Sequence, residues 1–148
     1  MRNVAKEFRQ EYYASLHYPE HIAELKLKLA ELDASMGYHS PVWDKLHYAP
    51  VEHDTRLSEF ITRRSRITDD IERMERQIAR IQGILALVDD PVKTMFIESY
   101  QPGNTVDSVA EKYGYDPSWA RRLIDSRLRK AVQMYEDLGH LNEEKTRL

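Results

Sequence analysis

Cysteine is absent from the 148 residues, so neither a disulfide nor a thiolate-held metal can contribute to the fold. Glycine and proline are scarce, at 5 and 6 residues, which disfavours a turn-rich β architecture and favours long helices. No apolar run approaches the roughly 18 residues of a membrane-spanning helix. The opening MRNVAKEFRQEYY lacks the apolar core of a secretion signal, so the chain reads as soluble and intracellular. An excess of positive charge is missing too: the net charge is -3 and the pI about 6.1, so any nucleic-acid site has to be a local basic face. What is present is 41% hydrophobic and 32% charged residues, enough apolar surface for a modest core in one domain or two small ones. The expected class is all-α.

The clearest periodicity lies between Arg56 and Val88. Leu57, Phe60, Ile67, Ile71, Met74, Ile78, Ile81, Leu85 and Val88 recur at three- and four-residue steps, with Arg64 the polar occupant of the seam. Sustained over about four heptads, this predicts a coiled-coil-like helix. At about 1.5 Å per residue it is a rod of roughly 50 Å, which needs a partner. Upstream, Ile22, Leu25, Leu29, Leu32 and Met36 repeat the stepping. Val4, Phe8, Tyr12 and Leu16 form an earlier apolar face, with Pro19 marking a break or a restarted helix. An antiparallel helical hairpin within one chain buries these stripes, and so does a homo-oligomer through the 57–88 helix. The connection at 37–55, with two prolines and Tyr38, Trp43 and Tyr48, is expected to be a long loop that either caps the hairpin or binds a partner.

After Val88 the pattern changes. Asp89, Asp90 and Pro91 predict a helix start, and Val92, Met95, Phe96 and Tyr100 share one face before Gln101, Pro102 and Gly103 end it. Asn104 or Thr105 caps a short helix through Lys112. Asp116 and Pro117 start the next, expected to run to about Leu138 before Gly139. In the segment between, Val109 and Tyr113 are apolar contacts, Ala110 is small where another helix must cross, and Gly114 suits a sharp turn with positive φ. Tyr115 then packs inward, while Ala120, Leu123 and Leu128 make a buried stripe. Each residue type has a steric reason for its place in a helix-turn-helix. In that register Ser118, Arg121, Arg122, Asp125 and Arg129 point outward with Trp119 at the edge. Between Pro117 and Val132 four arginines and one lysine face one aspartate, the local basic patch that the acidic whole requires. Exposed arginines there can read guanine O6 and N7 or clamp phosphate. Thr105 and Lys112, at the two ends of the preceding helix, complete the expected DNA-facing set.

The stretch DDPVKTMFIESYQPGNTVDSVAEKYGYDPSWARRLIDSRLRKAV resembles the fourth, promoter-reading region of bacterial sigma factors. It is more similar still to small phage transcriptional regulators of the RinA and ArpU type, in which such a domain follows a helical N-terminal half. The resemblance covers about a third of the chain, and YGYDPSWARRL is its most specific part. It implies DNA contact by Ser118, Arg121 and Arg122, and a cytoplasmic regulator in a bacterial host cell that acts on double-stranded DNA and contacts RNA polymerase. A protein-interaction role without DNA, or recognition of a phage genome for packaging, are the alternatives.

Enzyme signatures are missing as well. His17 and His21 stand four apart, but Pro19 lies between them and no carboxylate completes a ligand set. His39, His47 and His53 lack ligand spacing, and there is neither a phosphate-binding glycine loop nor a nucleophile motif. Asp69 and Asp70 fall on a solvated helix face. No catalysis, metal or cofactor is expected. The expected organisation is therefore a helical hairpin over 1–88, a DNA-binding unit over 89–139 and a tail over 140–148.

Overall fold

The computed structural model describes the backbone of residues 2–147 apart from 46–49, and the side chains of residues 2–35 and 55–143. Every regular element among the described residues is an α-helix: α1 Val4–Ser15, α2 Tyr18–Lys45, α3 Pro50–Leu85, α4 Val92–Ser99, α5 Val106–Lys112 and α6 Pro117–Arg147. None of the described helices is long and apolar enough to cross a membrane.

Two expectations of irregular structure are corrected. The 37–55 loop is helical over 37–45 and from Pro50 onward, while its middle, 46–49, lies outside the described residues. A glycine costs a helix about 1 kcal/mol and a proline removes one backbone donor. A helix already nucleated upstream absorbs both, because extension needs no new nucleus. The 140–148 tail is likewise the end of α6, which passes through Gly139 and runs to Arg147. In contrast, the expected rod ends early: α3 stops at Leu85, and Val88 is buried in the turn beyond it.

Packing divides the chain into two compact units, residues 1–14 with 78–148, and residues 15–77. The expected boundary at 88/89 does not follow this division. In the first unit α4, α5 and α6 pack against one another, and α1 and the end of α3 close their core. Phe8, Ile84, Met95, Phe96, Ile124 and Leu128 are its largest fully buried side chains. Val4, Phe8 and Tyr12 lie four apart on one face of α1, so one side of that helix is apolar. That side meets α4 in a cluster of rings: Tyr12 lies 4.9 Å from Phe96 and 4.9 Å from Tyr100, and Phe8 lies 5.8 Å from Phe96. Three helices spanning about fifty residues bury a small share of their apolar surface and are marginal by themselves. Ile81, Ile84, Leu85 and Val88 from one side and Ala5, Phe8 and Tyr12 from the other supply the missing cover. Leu16, expected on the same face, is exposed because α1 ends at Ser15.

Ion pairs border this core. Arg80 Nε is 3.3 Å from Glu11 and its Nη2 is 3.9 Å from Glu136, which also receives Arg2 at 3.6 Å. Gly83 allows α3 to approach α6 closely, since a Cβ there would lie 2.6 Å from the Tyr135 ring.

In the second unit Ile22, Leu25, Ile71 and Met74 are buried, and Leu29, Leu32 and Ile67 are half-buried. The seam opens toward the start of α3, where Leu57 and Ile61 are exposed. Arg64, the polar residue in the seam, is also exposed and places its Nε 3.1 Å from Asp33 of α2. Lys26 and Glu75 make a second link at 3.5 Å.

Burial of the Tyr100 phenol pushes its pKa up. The unfolded chain ionises this group near its ordinary value of about 10, before the folded chain does. Its stabilising contribution is therefore complete below pH ~10 and declines as pH rises through the folded value. Tyr100→Phe is expected to leave stability near neutrality almost unchanged and to move the midpoint of alkaline unfolding upward. Circular dichroism across an alkaline titration checks this, and an unchanged midpoint would contradict it.

Candidate nucleic-acid interface

The candidate surface is built on α5, the turn at 113–116, and the first half of α6. Thr105 begins α5 in extended conformation (φ -131°, ψ 166°), and its side chain accepts the Ser108 N–H at 3.1 Å. The Thr105 N–H donates back to Ser108 Oγ at 2.9 Å, a reciprocal box that satisfies two otherwise orphaned donors. The Thr105 hydroxyl is thus a capping group first. Gly114 ends α5 at φ +79°, and the following Tyr115 N–H donates to Ala110 O at 2.8 Å. Open space surrounds the position of a Cβ at Gly114, so only the backbone conformation demands glycine. Gly114→Ala is expected to cost about 1–2 kcal/mol in the left-handed region, measurable by urea unfolding. A cost below a few tenths would mean that the turn relaxes without strain.

Asp116 opens α6 by accepting the Trp119 N–H at 3.0 Å, as an N-cap does. Ala110 of α5 and Ala120 of α6 are both buried, and the two helices pack against each other. Along α6 the buried stripe is Ala120, Ile124, Leu128, Ala131 and Val132. Leu123, expected in that stripe, is half-buried, because Ile124 takes the deeper position one residue on.

The expected contact residues separate into three groups. Ser118, Arg122 and Arg129 are exposed on one side of α6, and the two arginines only approach their own helix backbone, at 3.4 Å each. Neither makes an ion pair among the described residues, nor do Arg127 and Lys130 nearby. Arg121 and Lys112 are exposed but engaged: Arg121 Nε lies 3.3 Å from Asp107 Oδ1, and Lys112 Nζ lies 3.5 Å from Glu98. Asp125 is the correction, since it is half-buried and paired with Arg9 of α1 instead of pointing outward. Its position on α6 lies beside the buried stripe, within reach of the arginine that α1 brings in.

One aromatic side chain also differs from expectation. Tyr113 is 39% exposed and is no apolar contact. Its hydroxyl donates to Glu98 at 2.7 Å, and that bond is the main reason its phenol is held above the usual pKa, ahead of desolvation. Trp119 is 44% exposed, with its ring 5.3 Å from that of the half-buried Tyr115. Sequence reasoning missed Asp107 as a neighbour of this surface. Its only signal was an acidic residue in the first turn of α5, which by itself suggests nothing beyond a favourable helix dipole.

No protein-family model, curated protein or solved structure matches the chain. Elsewhere, the described residues contain no cluster of three or more potential metal ligands. His21 Nδ1 lies 3.8 Å from Glu24, and the side chains of His39, His47 and His53 lie outside the described residues.

Proposed function

We propose that the chain is a DNA-binding transcription regulator. In this reading α4–α6 form a helix-turn-helix domain resembling the fourth region of sigma factors, and α6 enters the major groove. The observation that carries it is the exposed row Ser118, Arg122 and Arg129 on α6, with no carboxylate partner for either arginine among the described residues. Guanidinium groups left without internal partners are available to phosphate oxygens and base edges. The positive φ at Gly114 and the buried alanine crossing support the helix-turn-helix geometry.

The rest of the proposal concerns α2 and α3, read as an antiparallel hairpin that serves oligomerisation or contact with RNA polymerase. Its support is the order of the ion pairs: from Lys26 to Asp33 the partner retreats from Glu75 to Arg64. The sequence resemblance adds a phage or prophage origin and control of late genes.

Fluorescence anisotropy of a labelled random-sequence duplex, titrated across a salt series, tests the DNA reading. Affinity is expected to fall with salt, by about 0.9 in log K per log salt for each phosphate neutralised. Absence of salt-dependent binding would overturn it.

A second reading is an interaction module that contacts RNA polymerase or another phage protein and touches no DNA. It draws on Met134, Leu138 and Leu141, which are exposed at four- and three-residue spacing near the end of α6. Apolar residues on one helix face suit a protein partner. Assembly into a ring for genome packaging is a variant of the DNA reading, and mass measurement in solution separates a ring from a monomer or dimer.

A further inference from the structure

Among the exposed arginines that begin α6, one is held by a carboxylate from outside its own helix. Arg121 Nε stands 3.3 Å from Asp107 Oδ1 in the first turn of α5, and both side chains are about half exposed. Ion pairs at this exposure are weak and open readily, so the contact does not lock the guanidinium in place. What it does is set the company in which Arg121 meets a ligand. A phosphate drawn to Arg121 is brought close to the Asp107 carboxylate as well, and like charges repel at that range. A guanine edge presents neutral acceptors at O6 and N7 and meets no such repulsion. Arg122 and Arg129 have no acidic neighbour of this kind among the described residues and are open to phosphate.

We infer that Asp107 is a specificity-determining residue: its carboxylate beside Arg121 repels a phosphate there, so that this guanidinium serves an uncharged base edge instead of the phosphate backbone. The inference rests on the duplex-binding reading above. It assigns different tasks to residues that look alike in sequence. Arg122 and Arg129 supply backbone affinity, and the Arg121–Asp107 pair supplies discrimination.

The test is Asp107→Asn, which removes the charge and keeps the shape. Two probes are used with the full chain across a salt series: a random-sequence duplex, and the tightest duplex that the wild type recovers from a random pool. Affinity for the random duplex is expected to rise about five-fold, and the salt slope to steepen by about 0.9, because Arg121 now neutralises a phosphate. Affinity for the selected duplex is expected to change by less than about two-fold, so the ratio between the probes falls. In an Arg121→Ala background the substitution is expected to have no effect. The inference is overturned if both affinities stay the same, if both rise equally, or if the gain persists without Arg121. Asp107→Ser gives the same comparison should the asparagine disturb α5, with helicity checked by circular dichroism. A wild type that binds duplex but shows no response to the substitution defeats this inference alone. A wild type with no salt-dependent binding defeats the DNA reading along with it.

Discussion

Replacing Phe96 with alanine is expected to cost the unit built on α1 and α4–α6 about 3–5 kcal/mol. Phe96 is 1% exposed and its ring touches three others, Phe8 at 5.8 Å, Tyr12 at 4.9 Å and Tyr100 at 5.2 Å. Removing it forfeits the transfer energy of a large side chain and leaves a cavity that α1 and α4 can close only by shifting toward each other. Ring pairs of this kind also contribute about 0.5–1.5 kcal/mol beyond their buried area. Urea unfolding followed by circular dichroism reports on all the helices together, so a local probe such as Trp119 fluorescence in a Trp43→Phe background is needed beside it. Phe96→Leu, which keeps much of the volume, should be less destabilising. A cost below about 1 kcal/mol for the alanine variant would mean that the ring cluster does not hold α1 in place.

On the proposed DNA-binding reading, the second large effect is expected in duplex affinity. Arg122→Ala combined with Arg129→Ala should weaken binding to a random duplex and reduce the salt slope by about one for each phosphate that is no longer neutralised. Both side chains are exposed and leave the core untouched, so the thermal stability of the double variant should match the wild type. Unchanged duplex affinity in a folded double variant would remove α6 as the reading helix. Asp125→Ala separates the two roles from the other side. It leaves Arg9 with a partly buried, unpaired charge and should lower stability more than it alters DNA binding.

Much of the first unit is legible in the sequence. Val92, Met95 and Phe96 are buried as the periodicity predicts, and so are Ala110 and Ala120. Such readings succeed because helical periodicity and turn chemistry act over a few residues. The failures have physical reasons as well. Gly37, Pro41 and Gly139 look like punctuation in the sequence, but a long helix tolerates an isolated breaker once it is nucleated. Tyr113 has the position of a core residue, whereas a hydroxyl with an exposed carboxylate in reach finds Glu98.

The sequence by itself determined the helical class, the inward face of α4, and the basic composition of the first half of α6. Those properties follow from residue type and spacing along one helix, so no knowledge of distant neighbours is needed. Only the tertiary structure decided that α1 and the end of α3 complete the core of α4–α6. It alone decided which charges are occupied: Asp125 by Arg9 and Arg121 by Asp107, while Arg122 and Arg129 have no carboxylate partner among the described residues. Those pairings join residues far apart in the chain, and their partners are chosen by helix packing, which local spacing does not encode.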